Sequence, residues 1–310
     1  MDSTIEPSME KTNVKETLER CNAVNLKQGT QDETDFVVGN DVTLWELYNI
    51  RTTNELTIAG TKVSYQLVHR KLNKDMVTPL IVCPGYSEKS VCWTIGRMNK
   101  FINEYPKIFN QYSDVYIFNF EKSKPIQERI IRTGEISRDD FDNQLVQHVD
   151  LICRMIYKKH NNEQFVLLGR SAGGGVCIRL ACMDSTDPEN PKSFNKKIKA
   201  MYLMAPGYKK SGIKPTLLNT NIDIPIFMAF VNQDTRVPSS EIYQMRTDFL
   251  ENNYPRYEYI EIDNNNPLQK QGDHFNHRIW YHLVEKLDMA KYHNEEYFTK
   301  TLRKMKDKYV

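Results

Sequence analysis

Long apolar runs are missing from this chain of 310 residues. The longest, Ile226 to Val231, falls far short of the roughly 20 apolar residues that a membrane-spanning helix needs, so no stable membrane insertion is expected. An excess of one charge is missing too. Lys and Arg number 42 against 40 Asp and Glu, a net charge of +2, and the two signs are interleaved. That balance offers no basic face for a nucleic acid. There are only six cysteines and no Cys-x-x-Cys pair, which excludes a disulfide framework and leaves buried thiols as the expected state. No Asn-x-Ser/Thr sequon occurs, and MDSTIEPSMEKT has neither the basic segment nor the apolar run of a signal peptide. Together these point to a cytoplasmic protein. Internal repeats are lacking as well. The basic stretch Lys300 to Lys308 is expected to be a solvated helical end.

Glycine is scarce, with 13 residues in all, yet four of them (Gly169, Gly173, Gly174 and Gly175) crowd around Ser171. Glycine weakens helices and strands alike, so such a cluster needs a geometric cause. Before it runs Phe165-Val166-Leu167-Leu168, continuously apolar like a strand covered on both faces. After it, Val176 to Cys182 reads as a packed helix. Ser171 is therefore expected on a very tight strand-to-helix turn.

Residues 1–40 are polar and poor in large apolar groups, the composition of a disordered tail, and 41–310 are expected to form the folded domain. Alternation over Leu44 to Asn49, Glu55 to Ile58 and Lys62 to His69 predicts antiparallel strands. Further strands are expected at Pro79 to Cys83, Asp114 to Phe120, Phe165 to Leu168, Lys199 to Met204, Pro225 to Val231 and Tyr257 to Ile262. Helices are expected near 94–105, 139–159, 173–185, 239–252 and 275–291. This order predicts a mostly parallel twisted sheet with an antiparallel leading edge and helices on both faces.

In such a sheet chemistry collects at the carboxyl ends of the strands, where Ser171 stands. Gly169-Arg170-Ser171-Ala172-Gly173 fits G-x-S-x-G, the nucleophile elbow, in its required strand-to-helix context. A serine hydroxyl needs a base to take its proton, and the base needs an acid to orient it. Asp234 falls just past the strand ending at Val231, and His274 falls in the loop after the last strand, giving the order Ser, Asp, His. Asp234 could instead cap a turn before the helix at Ser239. Asp263 is a second candidate acid, and His277 and His282 compete with His274. His274 and His277 also read as a metal pair, but that leaves the elbow unexplained and lacks a carboxylate ligand set, so no metal or organic cofactor is expected. The oxyanion of acyl transfer needs two N–H donors. Ala172, next to the nucleophile, is one candidate; Tyr86, in Pro84-Gly85-Tyr86-Ser87, is the other, since Pro84 has no N–H.

These motifs resemble the serine esterase and lipase branch of the α/β-hydrolase superfamily, over roughly residues 55 to 292. Gly-Arg-Ser-Ala-Gly-Gly is similar to its elbow, Asn-Gln-Asp followed by Val-Pro to its acid turn, and Gly-Asp-His to its histidine loop. PGYSEKS resembles the HG-x-x-E-x-S loop of monoacylglycerol lipases and lysophospholipases, with Pro84 in place of histidine. The resemblance implies an α/β-hydrolase fold with Ser171, Asp234 and His274 as triad and Tyr86 and Ala172 as oxyanion donors. It implies hydrolysis of a small-molecule carboxylic ester through an acyl-enzyme. The same triad also serves thioesterases, acyltransferases and peptidases, and the fold also hosts non-catalytic binding proteins. The chain departs from the pattern in Asn-Phe-Glu-Lys-Ser-Lys-Pro after the strand ending at Phe120, and in the separation of 40 positions from Asp234 to His274. Gly207 to Asp223 leaves room for only a short or absent cap. Arg170 is a candidate for binding an anionic substrate group, with a structural ion pair as the other reading.

Overall fold

The computed structural model describes residues 8–12, 44–51, 57–58, 61–62, 65–85, 90–119, 138–182, 197–207, 224–231, 257–262, eight positions between 234 and 247, and Leu287. The chain divides into two units, Met1–Glu163 and Gln164–Val310.

The first unit contains β1 (Ser8–Thr12), β2 (Glu46–Arg51), β3 (Thr57–Ile58), β4 (Thr61–Lys62), β5 (Tyr65–Lys71) and β6 (Leu80–Cys83). Two helices follow, α1 (Ser90–Glu104) and the short α2 (Pro106–Phe109), and then β7 (Asp114–Asn119) and α3 (Arg138–Lys159). Its strands lie in the order β1-β2-β5-β7-β6. The first three pairings are antiparallel and β7 with β6 is parallel. The strand expected over Lys62 to His69 is split. Lys62 belongs to β4, which pairs with β3 in a separate two-stranded ribbon, and Tyr65 to His69 lie in β5. Helix α2 was not anticipated; Pro106 opens it at a position where the missing N–H costs nothing.

Ser8–Thr12, inside the stretch read as a polar tail, is a strand. It pairs with β2 from Ser8↔Arg51 to Thr12↔Leu47, and Lys11 Nζ donates to Glu46 Oε1 at 2.6 Å. Backbone pairing asks little of side-chain hydrophobicity, which is why composition gave no sign of it. The apolar stripe Leu145, Val149, Ile152 and Ile156 of α3 recurs at helical spacing and is wholly buried, as are Met98 and Phe101 of α1, which packs on β7. Burial of each such side chain contributes about 1.5–3 kcal/mol.

The second unit contains β8 (Phe165–Arg170), α4 (Ala172–Cys182), β9 (Ile198–Met204), β10 (Ile226–Val231) and β11 (Tyr257–Ile262). Its strands lie in the order β8-β9-β10-β11, all parallel. Every residue of β8 is buried, and Tyr202 stacks on Phe227 with ring centroids 5.1 Å apart. Strand β8 continues two residues past the expected end at Leu168, because Gly169 and Arg170 still pair with Leu203 and Met204. Positions 240–241, 243–245 and 247 are helical within the expected helix at 239–252. The helix expected near 275–291 lies outside the described residues apart from Leu287.

Antiparallel leading strands followed by parallel strands, with flanking helices between them, are the α/β-hydrolase topology. Among the described residues no helix is long and apolar enough to cross a membrane.

Candidate active site

Strand β8 and helix α4 are joined by one residue, Ser171, with φ 51°. A left-handed backbone costs a residue with a Cβ about 1–2 kcal/mol. The chain needs it here to reverse from strand into helix without a loop. The glycines explain themselves in the same geometry. A Cβ on Gly169 would stand 2.7 Å from Gly174 Cα, 2.8 Å from Cys177 Sγ and 2.9 Å from the Gly173 carbonyl oxygen. One on Gly174 would stand 2.7 Å from Pro206 Cβ. Strand meets helix at Gly169 and Gly174, and helix meets the end of β9 at Gly174 and Pro206. Gly169→Ala should therefore lower unfolding free energy by about 1–3 kcal/mol, because the obstruction is backbone and the helix must move. Urea denaturation measures this; a variant as stable as wild type would mean the contact is slack.

Backbone hydrogen bonds fix the turn. Ser171 N–H donates to the Met204 carbonyl at 2.9 Å, and Gly207 N–H donates to the Ser171 carbonyl at 2.9 Å. Gly175 N–H reaches the same carbonyl at 3.2 Å as the first bond of α4. Ser171 and Ala172 are half-buried. Ala172 opens α4, where an N–H has no acceptor within the helix. Arg170 is buried on β8 at 5% exposure, which favours a structural role over a freely accessible anion site.

Asp234 follows the end of β10 and is buried. Its Oδ1 accepts the Val237 N–H at 3.0 Å, so the turn-capping role weighed from sequence is present. Accepting that one N–H does not use up the acceptor capacity of a carboxylate. His274, Tyr86, Asp263, His277 and His282 lie outside the described residues.

A different serine, histidine and aspartate do meet, in the first unit. Ser113 Oγ is 3.5 Å from His160 Nδ1, and Asp114 Oδ2 is 3.7 Å from His160 Nε2. These are the side-chain types a serine hydrolase uses, and sequence reasoning did not single them out. Burial pushes the His160 pKa down, so the ring is neutral and carries one N–H. Burial pushes the Tyr116 phenol well up, so it keeps its proton, and its hydroxyl lies 3.0 Å from Nε2. The Ser113 hydroxyl donates to the Val77 carbonyl at 3.3 Å. Ser113 is buried at 6% exposure and precedes β7, at the amino end of a strand, away from the carboxyl edge where α/β sheets do chemistry. The set satisfies buried polar groups. Among the described residues no group of three or more His, Cys, Asp or Glu is placed to hold a metal ion.

The sequence reading also missed the Ala205-Pro206-Gly207 turn against the elbow. Its one visible signal was the Pro-Gly pair. No protein-family model matches the chain, nor does any curated protein sequence. Solved structures do resemble it at low identity. A lipase/esterase from Lactobacillus plantarum is 16% identical with a TM-score of 0.48, covering 79% of this chain and 99% of its own. Esterase B from Lactobacillus rhamnosis is 13% identical with a TM-score of 0.49, covering 94% and 99%. The alpha/beta hydrolase domain-containing protein 10 from mouse is 13% identical with a TM-score of 0.45, covering 78% and 96%.

Proposed function

We propose that the protein is a serine hydrolase acting on carboxylic esters, with Ser171 as nucleophile. The observation that carries this reading is the left-handed, half-buried serine at the one-residue junction of β8 and α4. Strain of this kind persists only when its surroundings enforce it, and it concentrates at functional positions. In the proposed reaction His274 takes the Ser171 proton as Oγ attacks the ester carbonyl. Asp234 holds the imidazolium that forms. The tetrahedral oxyanion lies against the Ala172 and Tyr86 N–H groups, and collapse expels the alcohol as His274 returns the proton. Water then attacks the acyl-enzyme with the same base, releasing the acid and free Ser171.

The sequence interval Gly207 to Asp223 is short and carries many polar residues, which supports short or medium acyl groups. Each acyl CH₂ left in water forgoes about 0.8 kcal/mol, so an open site gains little from chain length. A fluorophosphonate should label Ser171 alone, as mapped by peptide mass spectrometry. The labelled preparation should turn over p-nitrophenyl acetate and butyrate at least as well as palmitate before labelling and none afterwards. Labelling of Ser113, or of no serine in folded protein, would remove the reading; a steep rise toward palmitate would restore a lid and a lipase.

A further inference from the structure

We infer that the turn Ala205-Pro206-Gly207 is a positioning element that holds Ser171 in its left-handed conformation, an inference that rests on Ser171 being the nucleophile. Among the described residues four without glycine's freedom have positive φ: Asn161, Asn162, Ser171 and Ala205. Asparagine tolerates that region through local hydrogen bonds. Serine and alanine do not, and these two stand one residue beyond the paired ends of neighbouring strands, β8 and β9, whose last pair is Arg170↔Met204. Both chains turn at the same level. Ala205, at φ 40°, is pinned by its N–H to the Ala229 carbonyl at 2.8 Å. That turn brings the Gly207 N–H onto the Ser171 carbonyl while the Met204 carbonyl takes the Ser171 N–H. Both polar backbone groups of the strained serine are thus held by one four-residue stretch, Met204 to Gly207. Pro206, with its fixed φ, sets the spacing and packs where a Cβ on Gly174 would stand.

Space does not explain Gly207. A Cβ there would lie 3.8 Å from the Ser171 carbonyl oxygen and 4.0 Å from Ala172 N, ordinary contact distances. What the residue supplies is its N–H. Nor does ordinary fold stability favour alanine at position 205, since glycine adopts φ 40° without the Cβ clash. A strained alanine beside a strained nucleophile has the form of a stability–activity exchange, in which rigidity at the site is kept at the expense of the fold.

The test is Ala205→Gly in the full chain, with Pro206→Ala as a second, independent loosening. Ala205→Gly is expected to melt at the wild-type temperature or above it. Its kcat for p-nitrophenyl butyrate should fall about tenfold with KM unchanged, the signature of a lost geometry rather than lost binding. Amide hydrogen exchange at Ser171 and Gly207 should accelerate about tenfold in both variants. Wild-type exchange at those two amides in both variants, or an Ala205→Gly enzyme that is as active as wild type, overturns the inference. The exchange measurement needs no turnover, so accelerated exchange in a protein that a fluorophosphonate does not label would support the clamp while removing the ester-hydrolase reading.

Discussion

Ser171→Ala is expected to abolish ester hydrolysis, with kcat falling on the order of 10⁴- to 10⁶-fold, while the protein folds and melts as before. The size of the loss follows from nucleophile and base acting as a unit. Without Oγ there is no acyl-enzyme, and what remains is the stabilisation of an oxyanion by positioned N–H groups, worth roughly 10³–10⁴ over water in other triad enzymes. The unchanged stability follows from which atoms of Ser171 bind the fold. Its N–H and carbonyl make the bonds to Met204, Gly207 and Gly175, and alanine keeps both. Alanine also bears a Cβ at φ 51°, so it takes on the same strain as serine. Steady-state assays with p-nitrophenyl butyrate, with melting curves alongside, decide the matter. His274→Ala and Asp234→Asn should each lower kcat about 10³-fold or more, and His277→Ala much less. Asparagine is chosen at 234 because its amide oxygen still accepts the Val237 N–H, so the turn survives while the charge that stabilises an imidazolium is gone. A Ser171→Ala protein with wild-type turnover would transfer the search to Ser113.

How far the sequence could be read depended on what each element asks of its side chains. Strands such as Phe165–Arg170, buried throughout, must be apolar on both faces, so the run FVLL announced the strand without any knowledge of the sheet. Glycines that no Cβ can replace announced the contact between β8 and α4, where a Cβ on Gly169 would meet both Gly174 and Gly173. Features resting on backbone alone were silent. Strand β1 is fastened by its ladder to β2 and by Lys11, neither of which marks a sequence as folded. The left-handed Ala205 was equally invisible, since nothing about an alanine forecasts positive φ. Polar contacts between distant elements were hidden for another reason. Asn99 Oδ1 accepts from both Trp45 Nε1 and Arg70 Nη1 at 2.6 Å, joining α1 to residues 29 and 54 positions away. Pairings of that separation carry no local periodicity for a reader to find.

Asp114→Ala is expected to be the most destabilising single substitution in the first unit, at about 3–5 kcal/mol near neutral pH, because it breaks a buried pair and strands the partner. His69 lies on β5 at 2% exposure with a carboxylate on each side: Nε2 is 2.6 Å from Asp114 Oδ1 and Nδ1 is 3.2 Å from Glu46 Oε2. The ring stacks on Tyr116 with centroids 4.6 Å apart. Burial by itself pushes the Asp114 carboxyl up, but the hydrogen bond and charge of His69 outweigh it and leave its pKa below the ordinary value. The sign of the pH dependence follows. A carboxyl whose folded pKa lies below its unfolded value of about 3.9 contributes stability that is fully present above that value and is lost as pH falls through the folded one. Glu46 is lowered to about 2, by Lys11 first and then Tyr48, and would move stability in the same direction. A third of its side chain is exposed, so solvent screening leaves that contribution small, and it is common to both proteins being compared. The carboxyl's contribution to the stability gap between wild type and Asp114→Ala should therefore shrink as pH falls below about 4. Urea unfolding of both proteins at pH 7, 5, 4 and 3.5 measures it. A gap that stays constant into acid would show that Asp114 contributes through packing and not through its charge.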